Sequence, residues 1–447
     1  MTSMLVVHVA FECAPIYKTG GLGDVVGSLP VYEAKLAIKT LVMIPAYAWV
    51  PRLSTLPGSK VEVLYIDGSR LDKPNKKHDP KIQGPKYAEF CLNVISELKR
   101  RGIVPDILHC HDWHTALIPF LLKKRPDPFF KITKTLLTIH NIAYQGKFPV
   151  KYFLYPETQQ FTELVGDNSK RVNFLKLGMQ SADFISTVSP AHAQEIRKGN
   201  AGFGLSRVLR HKRGRFLGIL NGIDYNVWNP APDGYVYEKY TRQSVFSGKL
   251  TNKVKLQQQL GLTVNKDIPL YGFIARLSSQ KGVDLLTPLI SELPRERLQL
   301  VLLGTGDHKI EKMLNEFNHK NFAPWISVNL RFDEQLAHRI YAASDFFLIP
   351  SHYEPCGLTQ MISMVYGTIP VASAVGGLVD TIKDGRTGFL LKSTTSESLH
   401  QAIRRSLALW ENTLEYRGMV ARVMKQDFSW DKSATEYVRL YRRILSL

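Results

Sequence analysis

Eleven short apolar runs, separated by helix-like stretches, constrain the fold of this chain more than any other feature of its sequence. Most of these runs are continuous rather than alternating, and many end next to Gly, His or Asp. Continuous apolar strands are typical of parallel sheets that are buried on both faces, and right-handed crossover helices then connect the strands. The predicted strands are 5–10, 40–44, 61–65, 107–109, 135–139, 184–188, 270–274, 298–303, 326–329, 346–349 and 370–372.

Eleven strands exceed the usual size of one sheet, so the chain is predicted to form two sheets. Its 447 residues, 44% of them apolar, fit two or three globular domains. The stretch 221–234 is rich in turn-forming residues and lacks helical periodicity, which places a hinge nearby. We therefore predict an α/β protein with two Rossmann-like, doubly wound domains that face each other across a cleft. The predicted segments are a first domain at 1–228, a hinge at 229–249, a second domain at 250–425 and a C-terminal helix at 426–447.

The formal net charge of +19 raises the question of a polyanionic partner. The basic clusters are short and scattered, without a zinc-finger or RNA-recognition pattern, so we predict no nucleic-acid partner. No apolar run approaches the ~20 residues that a membrane-spanning helix needs, so no membrane partner is predicted. The four cysteines are widely spaced without a CxxC pair, and the N-terminus shows neither a secretory nor a transit pattern. These features predict a cytoplasmic protein without disulfides.

A glycine-rich segment follows the first predicted strand; it reads KTGGLGD and covers 18–24. Glycines let backbone N–H groups approach an anion closely, and Lys18 adds a positive charge. A helix is predicted over 25–29, which directs its dipole toward a bound phosphate. The spacing matches neither the GxGxxG dinucleotide motif nor the GxxxxGK[ST] P-loop. From spacing alone, a tight strand-to-helix turn without a binding role stays open.

Three histidines, a cysteine and an aspartate fall within six residues, HCHDWH at 109–114. This composition suggests metal ligands, but neighbouring residues at the end of a strand point to opposite faces. His111 and His114 converge only if the chain turns into a helix, and the sequence has no second cluster of the HExxH or CxxC type. We therefore predict no metal site. Asp112 is instead predicted to offer its carboxylate to ligand hydroxyl groups from a strand-end loop.

Polar side chains also follow two further predicted strands. His140 comes directly after the strand 135–139, and Arg276 and Lys281 lie five residues apart after the strand 270–274. Ligands in such sheets bind beyond the carboxyl ends of the strands. A guanidinium fork and an ammonium group on one loop make a suitable clamp for a diphosphate. Solvated surface side chains are the alternative for all three residues.

The segment SHYEPCGLTQ, at 351–360, follows the predicted strand 346–349. A helix is predicted to begin near Leu358, so that the amides of Gly357, Leu358 and Thr359 point at an anion. The carboxylate of Glu354 would repel an anion at this site, so it is predicted to bind hydroxyl groups instead. The alternative is that Glu354 is a solvated acid in a loop. Cys356 is predicted to be small and buried rather than reactive.

Eight segments in this order resemble the glycogen and starch synthases over nearly the whole chain. They are KTGGLGD at 18–24, HDWH at 111–114, TIHNIAYQG at 138–146, STVSP at 186–190, NGIDY at 221–225 with WNP at 228–230, RLSSQKG at 276–282, EPCGLTQ at 354–360 and VGGLVD at 375–380. The resemblance implies the GT-B fold, in which the last helix crosses back to the first domain. It also implies transfer of glucose from ADP-glucose to the non-reducing end of an α-1,4-glucan with retention of configuration, and no metal or other cofactor.

By matching position, the resemblance implies roles for individual residues. The two cations would bind the diphosphate, Glu354 would bind the donor glucose, and the remaining two catalytic residues would flank the reacting sugar. The implied catalytic residues are Glu354, Arg276, Lys281, His140 and Asp112. The implied substrate-binding residues are Lys18, Gly20, Gly21, Asp24, Asn221, Cys356, Gly357, Leu358 and Thr359.

Two features depart from the pattern of the family. The segment 64–91 is short and basic, with KPNKKH at 73–78 in place of an aromatic-rich stretch, so acceptor contacts from this region stay open. Position 362 is Ile, where other retaining GT-B enzymes often carry a second Glu. The alternatives are another retaining GT-B glucosyltransferase, with UDP-glucose as donor or a small sugar as acceptor, and a catalytically silent glucan-binding protein.

Overall fold

Strands and helices alternate along the chain in the computed structural model, which describes residues 4–67, 80–153, 171–292, 294–318, 322 and 324–447. The strands are Leu5–Val9 (β1), Lys39–Pro45 (β2), Glu62–Ile66 (β3), Ile107–His111 (β4), Lys134–Ile139 (β5), Lys147–Pro149 (β6), Arg171–Asn173 (β7), Phe184–Thr187 (β8), Phe216–Gly218 (β9), Leu270–Ile274 (β10), Gln299–Leu303 (β11), Ile326–Asn329 (β12), Phe346–Ile349 (β13), Ile369–Ser373 (β14) and Phe389–Leu391 (β15). The α-helices are Gly21–Lys35 (α1), Pro80–Arg100 (α2), Asp112–Thr115 (α3), Leu117–Lys124 (α4), Phe174–Ser181 (α5), Pro190–Ile196 (α6), Ser206–His211 (α7), Val245–Leu260 (α8), Val283–Ile290 (α9), His308–Asn315 (α10), Glu334–Ala343 (α11), Thr359–Val365 (α12), Gly377–Thr381 (α13), Ser396–Glu411 (α14), Thr413–Val423 (α15) and Trp430–Leu445 (α16).

The chain divides into two compact units. The first contains Met1–Gly222 and Trp430–Leu447, and the second contains Ile223–Ser429. The domain limits predicted from the sequence stay a prediction. Within the described residues, no helix is long and apolar enough to span a membrane.

The first unit is built on a seven-stranded sheet in the order β3-β2-β1-β4-β5-β8-β9. Every strand in it runs parallel to its neighbours. The interior strand β1 carries Val6, Val7 and Val9, all fully buried. Continuous apolar sequence therefore reflects helices on both faces of the sheet. The antiparallel pair β6–β7 forms a separate two-stranded ribbon.

The C-terminal helix α16 belongs to the first unit and packs against α1. Its apolar residues Tyr437, Leu440, Tyr441 and Ile444 are all buried, in one core cluster with Val25 and Leu29 of α1. These four residues recur at the i, i+3, i+4 and i+7 spacing that places side chains on one helix face. The amphipathic stripe is thus covered within the unit.

The second unit contains a six-stranded parallel sheet in the order β12-β11-β10-β13-β14-β15. A buried ion pair fixes α8 against this sheet, because Lys253 Nζ lies 2.7 Å from Asp345 Oδ2. The same carboxylate oxygen accepts a hydrogen bond of 2.8 Å from the backbone N–H of Leu270, the first residue of β10. Asp345 thereby joins the start of β13 to the start of β10.

All eleven predicted strands are present in the structure, and β10, β12 and β13 have the predicted limits. The strands that the sequence reasoning missed are β6, β7, β9 and β15, each three residues long. Runs of three residues are too short for a periodic signal. Most of the basic segment 73–84 lies outside the described residues.

Candidate active site

Lys281 and Glu354 form an ion pair at the carboxyl ends of β10 and β13 in the second unit. Lys281 Nζ lies 2.6 Å from Glu354 Oε2, and the Ser351 hydroxyl donates a hydrogen bond of 3.0 Å to the same oxygen. Glu354 is only 6% exposed. A carboxylate so deeply buried needs a charged partner, which Lys281 supplies. The two residues were predicted separately from different loops, and the structure brings them together.

Three glycines allow these loops to approach each other closely. A Cβ atom on Gly282 would lie 1.8 Å from the carbonyl oxygen of Pro350, and one on Gly376 would lie 1.9 Å from that of Glu354. Both glycines have positive φ, 71° and 48°. A Cβ on Gly377 would lie 2.2 Å from the carbonyl oxygen of Cys356. The Gly376–Gly377 pair of the segment VGGLVD therefore packs directly against the loop that carries Glu354.

A small cavity of about 20 Å³ opens beside the ion pair. Its lining residues are Phe273, Ile274, Ala275, Lys281, Leu348, Ile349, Ser351, Glu354 and Thr359. The helix α12 begins at Thr359, as predicted, and its first N–H groups have no partner within the helix. Arg276 is exposed and has no ion-pair partner in the described part of the chain, so it is available for an anionic ligand.

The remaining predicted residues of this loop line its interior. Cys356 is 5% exposed, which agrees with a small buried side chain rather than a reactive thiol. Gly357 has a φ of 74°, and a Cβ there would lie 2.4 Å from Gln360 Oε1. Leu358 precedes the first residue of α12. Gly357 therefore makes the turn that lets the loop enter the helix.

The glycine-rich segment 18–24 lies at the surface of the first unit, but its geometry differs from the prediction. The helix α1 begins at Gly21 rather than at 25, with Gly20 as its N-cap. Lys18 Nζ pairs with Asp24 Oδ1 at 2.9 Å, and both side chains are partly exposed. Glu12 Oε2 accepts hydrogen bonds from the amides of Thr19 at 2.8 Å and Gly20 at 3.2 Å. A carboxylate of the protein thus binds the amide of Gly20, which was predicted to face a ligand anion, and that of its neighbour Thr19.

Asp112 is buried and hydrogen-bonds within the protein, and its contact with ligand hydroxyl groups stays a prediction. Its Oδ1 accepts hydrogen bonds from the amides of His140 at 2.8 Å and Asn141 at 3.3 Å. The residue has a φ of 60° at the sharp change from β4 to α3, a conformation that Asp tolerates better than most residues. Burial raises the pKa of Asp112 to about 7. In this structure Asp112 holds the His140 loop in place.

Asp112 is expected to make the stability of the protein depend on pH. Its pKa is raised from 3.8 to about 7, so the folded state keeps a proton there that the unfolded chain loses. The resulting stabilisation is complete below pH 4 and disappears as the pH rises through 7. Between these values the unfolding free energy of the wild type should fall by about 1.4 kcal/mol per pH unit relative to Asp112→Asn. Urea unfolding of both proteins from pH 5 to 8 measures this difference, and parallel curves would contradict the assignment.

His111 and His114 do not converge, although the chain does turn into a helix at Asp112. His114 stacks on Trp113, with ring centroids 3.9 Å apart, whereas His111 points into the core. The ring nitrogens of His8, His109 and His111 lie within 4.8 Å of one another, close enough to suggest a metal site. All six nitrogens of these rings already take part in hydrogen bonds within the protein. A metal ion there would have to break these bonds, so the absence of a metal site stays our prediction.

Asn221, the last predicted substrate-binding residue, is 5% exposed, and its Oδ1 is buried without a hydrogen-bond partner among the described residues.

Three residues with notable contacts, Glu12, Ser351 and Glu33, were not predicted from the sequence. Glu33 had a detectable signal, because it continues the buried stripe of Leu22, Val26 and Leu29 on α1. An acid on the apolar face of a helix indicates a buried, partnered carboxylate.

Two family models match this chain. The model described as the starch synthase catalytic domain covers residues 5–211. The model described as glycosyl transferases group 1 covers residues 255–420. The first range holds the Lys18, Asp112 and His140 segments, and the second holds Arg276, Lys281 and Glu354.

Similar proteins align over nearly the full length of the chain. Glycogen synthase from Thermotoga petrophila is 38% identical over 484 aligned residues, and that from Geotalea daltonii is 40% identical over 482; each alignment covers 99% of both chains. Among solved structures, the catalytic domain of starch synthase IV from Arabidopsis thaliana, bound to ADP and acarbose, gives a TM-score of 0.90 at 31% identity, with both chains fully covered. Sucrose-phosphate synthase from Thermosynechococcus elongatus, with a TM-score of 0.70 and 19% identity over 99% of both chains, shares the fold.

Proposed function

The chain belongs to the glycogen and starch synthase family of GT-B glycosyltransferases, and from that premise we propose that it transfers glucose from ADP-glucose to an α-1,4-glucan. Glucose is added to the non-reducing end of the glucan with retention of configuration. The observation that carries the proposal is the ion pair of the buried Glu354 with the half-buried Lys281 at the carboxyl ends of β10 and β13. The family resemblance implies donor binding by these two residues.

The chemistry of the leaving group explains why cations are needed. When the bond between the glucose C1 and the diphosphate breaks, negative charge develops on phosphate oxygens. Lys281 and Arg276 supply positive charge near the end of β10, and the first amides of α12 add oriented N–H donors. Preorganised donors of this kind stabilise developing charge without reorganisation during the reaction. The oxygen of the acceptor hydroxyl forms the new bond to C1, and its proton passes to a phosphate oxygen of the departing diphosphate.

Glu354 has a different task from the cations. Its Oε2 is already bound by Lys281 and by the Ser351 hydroxyl, so the position of the carboxylate is fixed before substrate arrives. We propose that this carboxylate accepts hydrogen bonds from hydroxyl groups of the donor glucose. The sugar is thereby held in one orientation relative to the diphosphate clamp, which lowers the entropic cost of reaching the transition state.

The proposal includes no resident metal or other cofactor, because the protein itself supplies cations for the diphosphate. The four cysteines are free and buried, which suits a reducing cytoplasm. In the first unit, Asp112 supports the amide of His140, and the resemblance implies that the His140 side chain contacts the sugar. Activity that is unchanged after exhaustive treatment with EDTA is the expected result for a metal-free reaction.

Donor choice provides the direct test of this function. With glycogen as acceptor and labelled ADP-glucose or UDP-glucose offered separately, the wild type should incorporate label chiefly from ADP-glucose. Debranching the product and measuring chain length should show that label enters existing α-1,4 chains. Incorporation only from UDP-glucose, or only into a small sugar, would instead support another retaining glucosyltransferase. If the protein transfers glucose from neither donor, the result would support the alternative of a catalytically silent glucan-binding protein.

A further inference from the structure

A string of buried hydrogen bonds connects Glu33 on α1 to His140 in the first unit. Glu33 Oε2 lies 2.8 Å from His8 Nε2, and His8 Nδ1 lies 3.2 Å from His111 Nε2. His111 Nδ1 then lies 3.0 Å from His140 Nε2. Glu33, His8 and His111 are fully buried, and His140 is 9% exposed. No role in the proposed reaction has yet been given to Glu33, His8 or His111.

A second string starts from the other oxygen of the same carboxylate. The Tyr441 hydroxyl donates to Glu33 Oε1 at 2.7 Å and therefore accepts from His109 Nδ1 at 2.9 Å. His109 Nε2 lies 2.6 Å from Thr138 Oγ1, which in turn lies 2.6 Å from Ser186 Oγ. Both Glu33 oxygens thus accept hydrogen bonds, so each string begins at a carboxylate oxygen.

The direction of the first string follows from counting protons. Burial lowers the pKa of His111 well below its usual value and that of His140 to about 3, so each ring carries one N–H at neutral pH. Glu33 Oε2 accepts a hydrogen bond from His8 Nε2, and His8 Nδ1 then accepts from His111 Nε2. His111 Nδ1 in turn accepts from His140 Nε2. The remaining nitrogen, His140 Nδ1, is left with a lone pair and has no partner among the described residues.

We propose that Glu33 is a positioning residue for the transfer reaction, which acts through His8 and His111 to hold His140 as the Nε2–H tautomer. His140 then presents Nδ1 as a hydrogen-bond acceptor to a hydroxyl group of the substrate. The value of this arrangement for catalysis rests on the proposed function, but the tautomer itself does not. In a buried chain of imidazoles, the hydrogen bond at one nitrogen of a ring determines which of its two nitrogens carries the proton.

The groups that face this string support a neutral, fixed arrangement. His8 is close to the His109 and His111 rings, with centroids 4.9 Å and 5.5 Å away, and the ring of Tyr437 in α16 lies tilted against His109, with centroids 5.6 Å apart. Among the described residues, Glu33 is the one carboxylate that hydrogen-bonds to a ring nitrogen of the string, whereas Asp112 binds only the backbone amide of His140. A single acceptor at one end is therefore sufficient to set the direction of every bond up to His140.

Replacing Glu33 by Met tests the assignment, because the thioether keeps a similar length but removes the acceptor. A buried N–H without a partner is rarer than an unpaired acceptor. We therefore expect His8 to carry its proton on Nδ1 and to donate to His111. The hydrogen bond from His111 to His140 then also reverses direction, which leaves the proton of His140 on Nδ1. Glu33→Gln should keep the wild-type direction, since its amide oxygen still accepts from His8. Tyr441→Phe is the matched control, because it removes only the second string.

Two measurements on the full chain read out these variants. Two-bond ¹H–¹⁵N spectra of histidine-labelled protein, with His140 assigned from a His140→Gln sample, should show the Nε2–H tautomer in wild type, Glu33→Gln and Tyr441→Phe. Glu33→Met should show the Nδ1–H tautomer, together with a kcat that falls about 10- to 100-fold. A folded Glu33→Met protein is verified by circular dichroism before either measurement.

Several results would overturn the proposal. An Nδ1–H tautomer or an imidazolium at His140 in the wild type is one, and it needs no variant to fold. A folded Glu33→Met protein with an unchanged His140 tautomer is another, and a reversed tautomer with an unchanged kcat would remove the link to catalysis. If the wild type transfers glucose from neither donor, the proposed function fails, whereas the tautomer spectra still decide the role of Glu33.

Discussion

Replacing Glu354 by glutamine is expected to lower kcat/KM for glucosyl transfer by about 10²- to 10³-fold. The carboxylate is 6% exposed and lies 2.6 Å from Lys281 Nζ, so the substitution removes a buried charge from the donor site and leaves Lys281 without its anionic partner. The amide keeps the size of the side chain, which limits any loss of packing. Initial rates with labelled ADP-glucose and glycogen measure the effect.

The control for this variant is Glu411→Gln, the same chemical change at the exposed end of α14 in the same unit. It should retain the wild-type rate and melting temperature. If Glu354→Gln stays within tenfold of the wild type while folded, Glu354 is not part of the donor site. A Glu354→Gln protein that fails to fold would show no thermal unfolding transition. In that case Ser351→Ala serves as the second variant, because it removes only the hydroxyl that donates to Glu354, and its transfer rate is measured instead.

Replacing Gly282 by alanine is the second change with a large expected effect. Gly282 has a φ of 71°, and a Cβ there would lie 1.8 Å from the carbonyl oxygen of Pro350. Backbone must therefore move to admit the methyl group, and the residue that moves is adjacent to Lys281. Displacing a reacting group by about 1 Å can cost about 10²-fold in rate. We expect a loss of kcat of that order together with a lower melting temperature.

Gly261→Ala separates the steric effect from backbone strain. Gly261 caps α8 with a φ of 68°, but a Cβ there would meet nothing within 4 Å. Each alanine must adopt a left-handed backbone conformation, which costs about 1–2 kcal/mol of stability. Only the alanine at 282 also clashes with the carbonyl oxygen of Pro350. Equal stability and activity losses for the two variants would show that close packing against Pro350 does not position Lys281.

Much of the fold and the location of the site could be predicted from the sequence. The eleven predicted strands are all present, because residues buried on both faces of a parallel sheet must be apolar at successive positions. Turn-forming and polar residues directly after those strands marked the loops that carry Lys281 and Glu354. The start of α1 at Gly21 was missed because glycine is a poor helix former, although helices tolerate it in the first turn.

Local patterns of burial and turns specify which segments form the two sheets and which loops lie at the carboxyl ends of their strands, and both could therefore be predicted from the sequence. Which side chains meet depends instead on the tertiary arrangement of the strands. Lys281 and Glu354 are 73 residues apart, and His8 and His111 are 103 residues apart, so their contacts follow from the order of strands in the sheets. The same holds for Asp112, whose Oδ1 accepts a hydrogen bond from the amide of His140, 28 residues away. Hydrogen bonds between distant residues depend on this order, which no local pattern encodes.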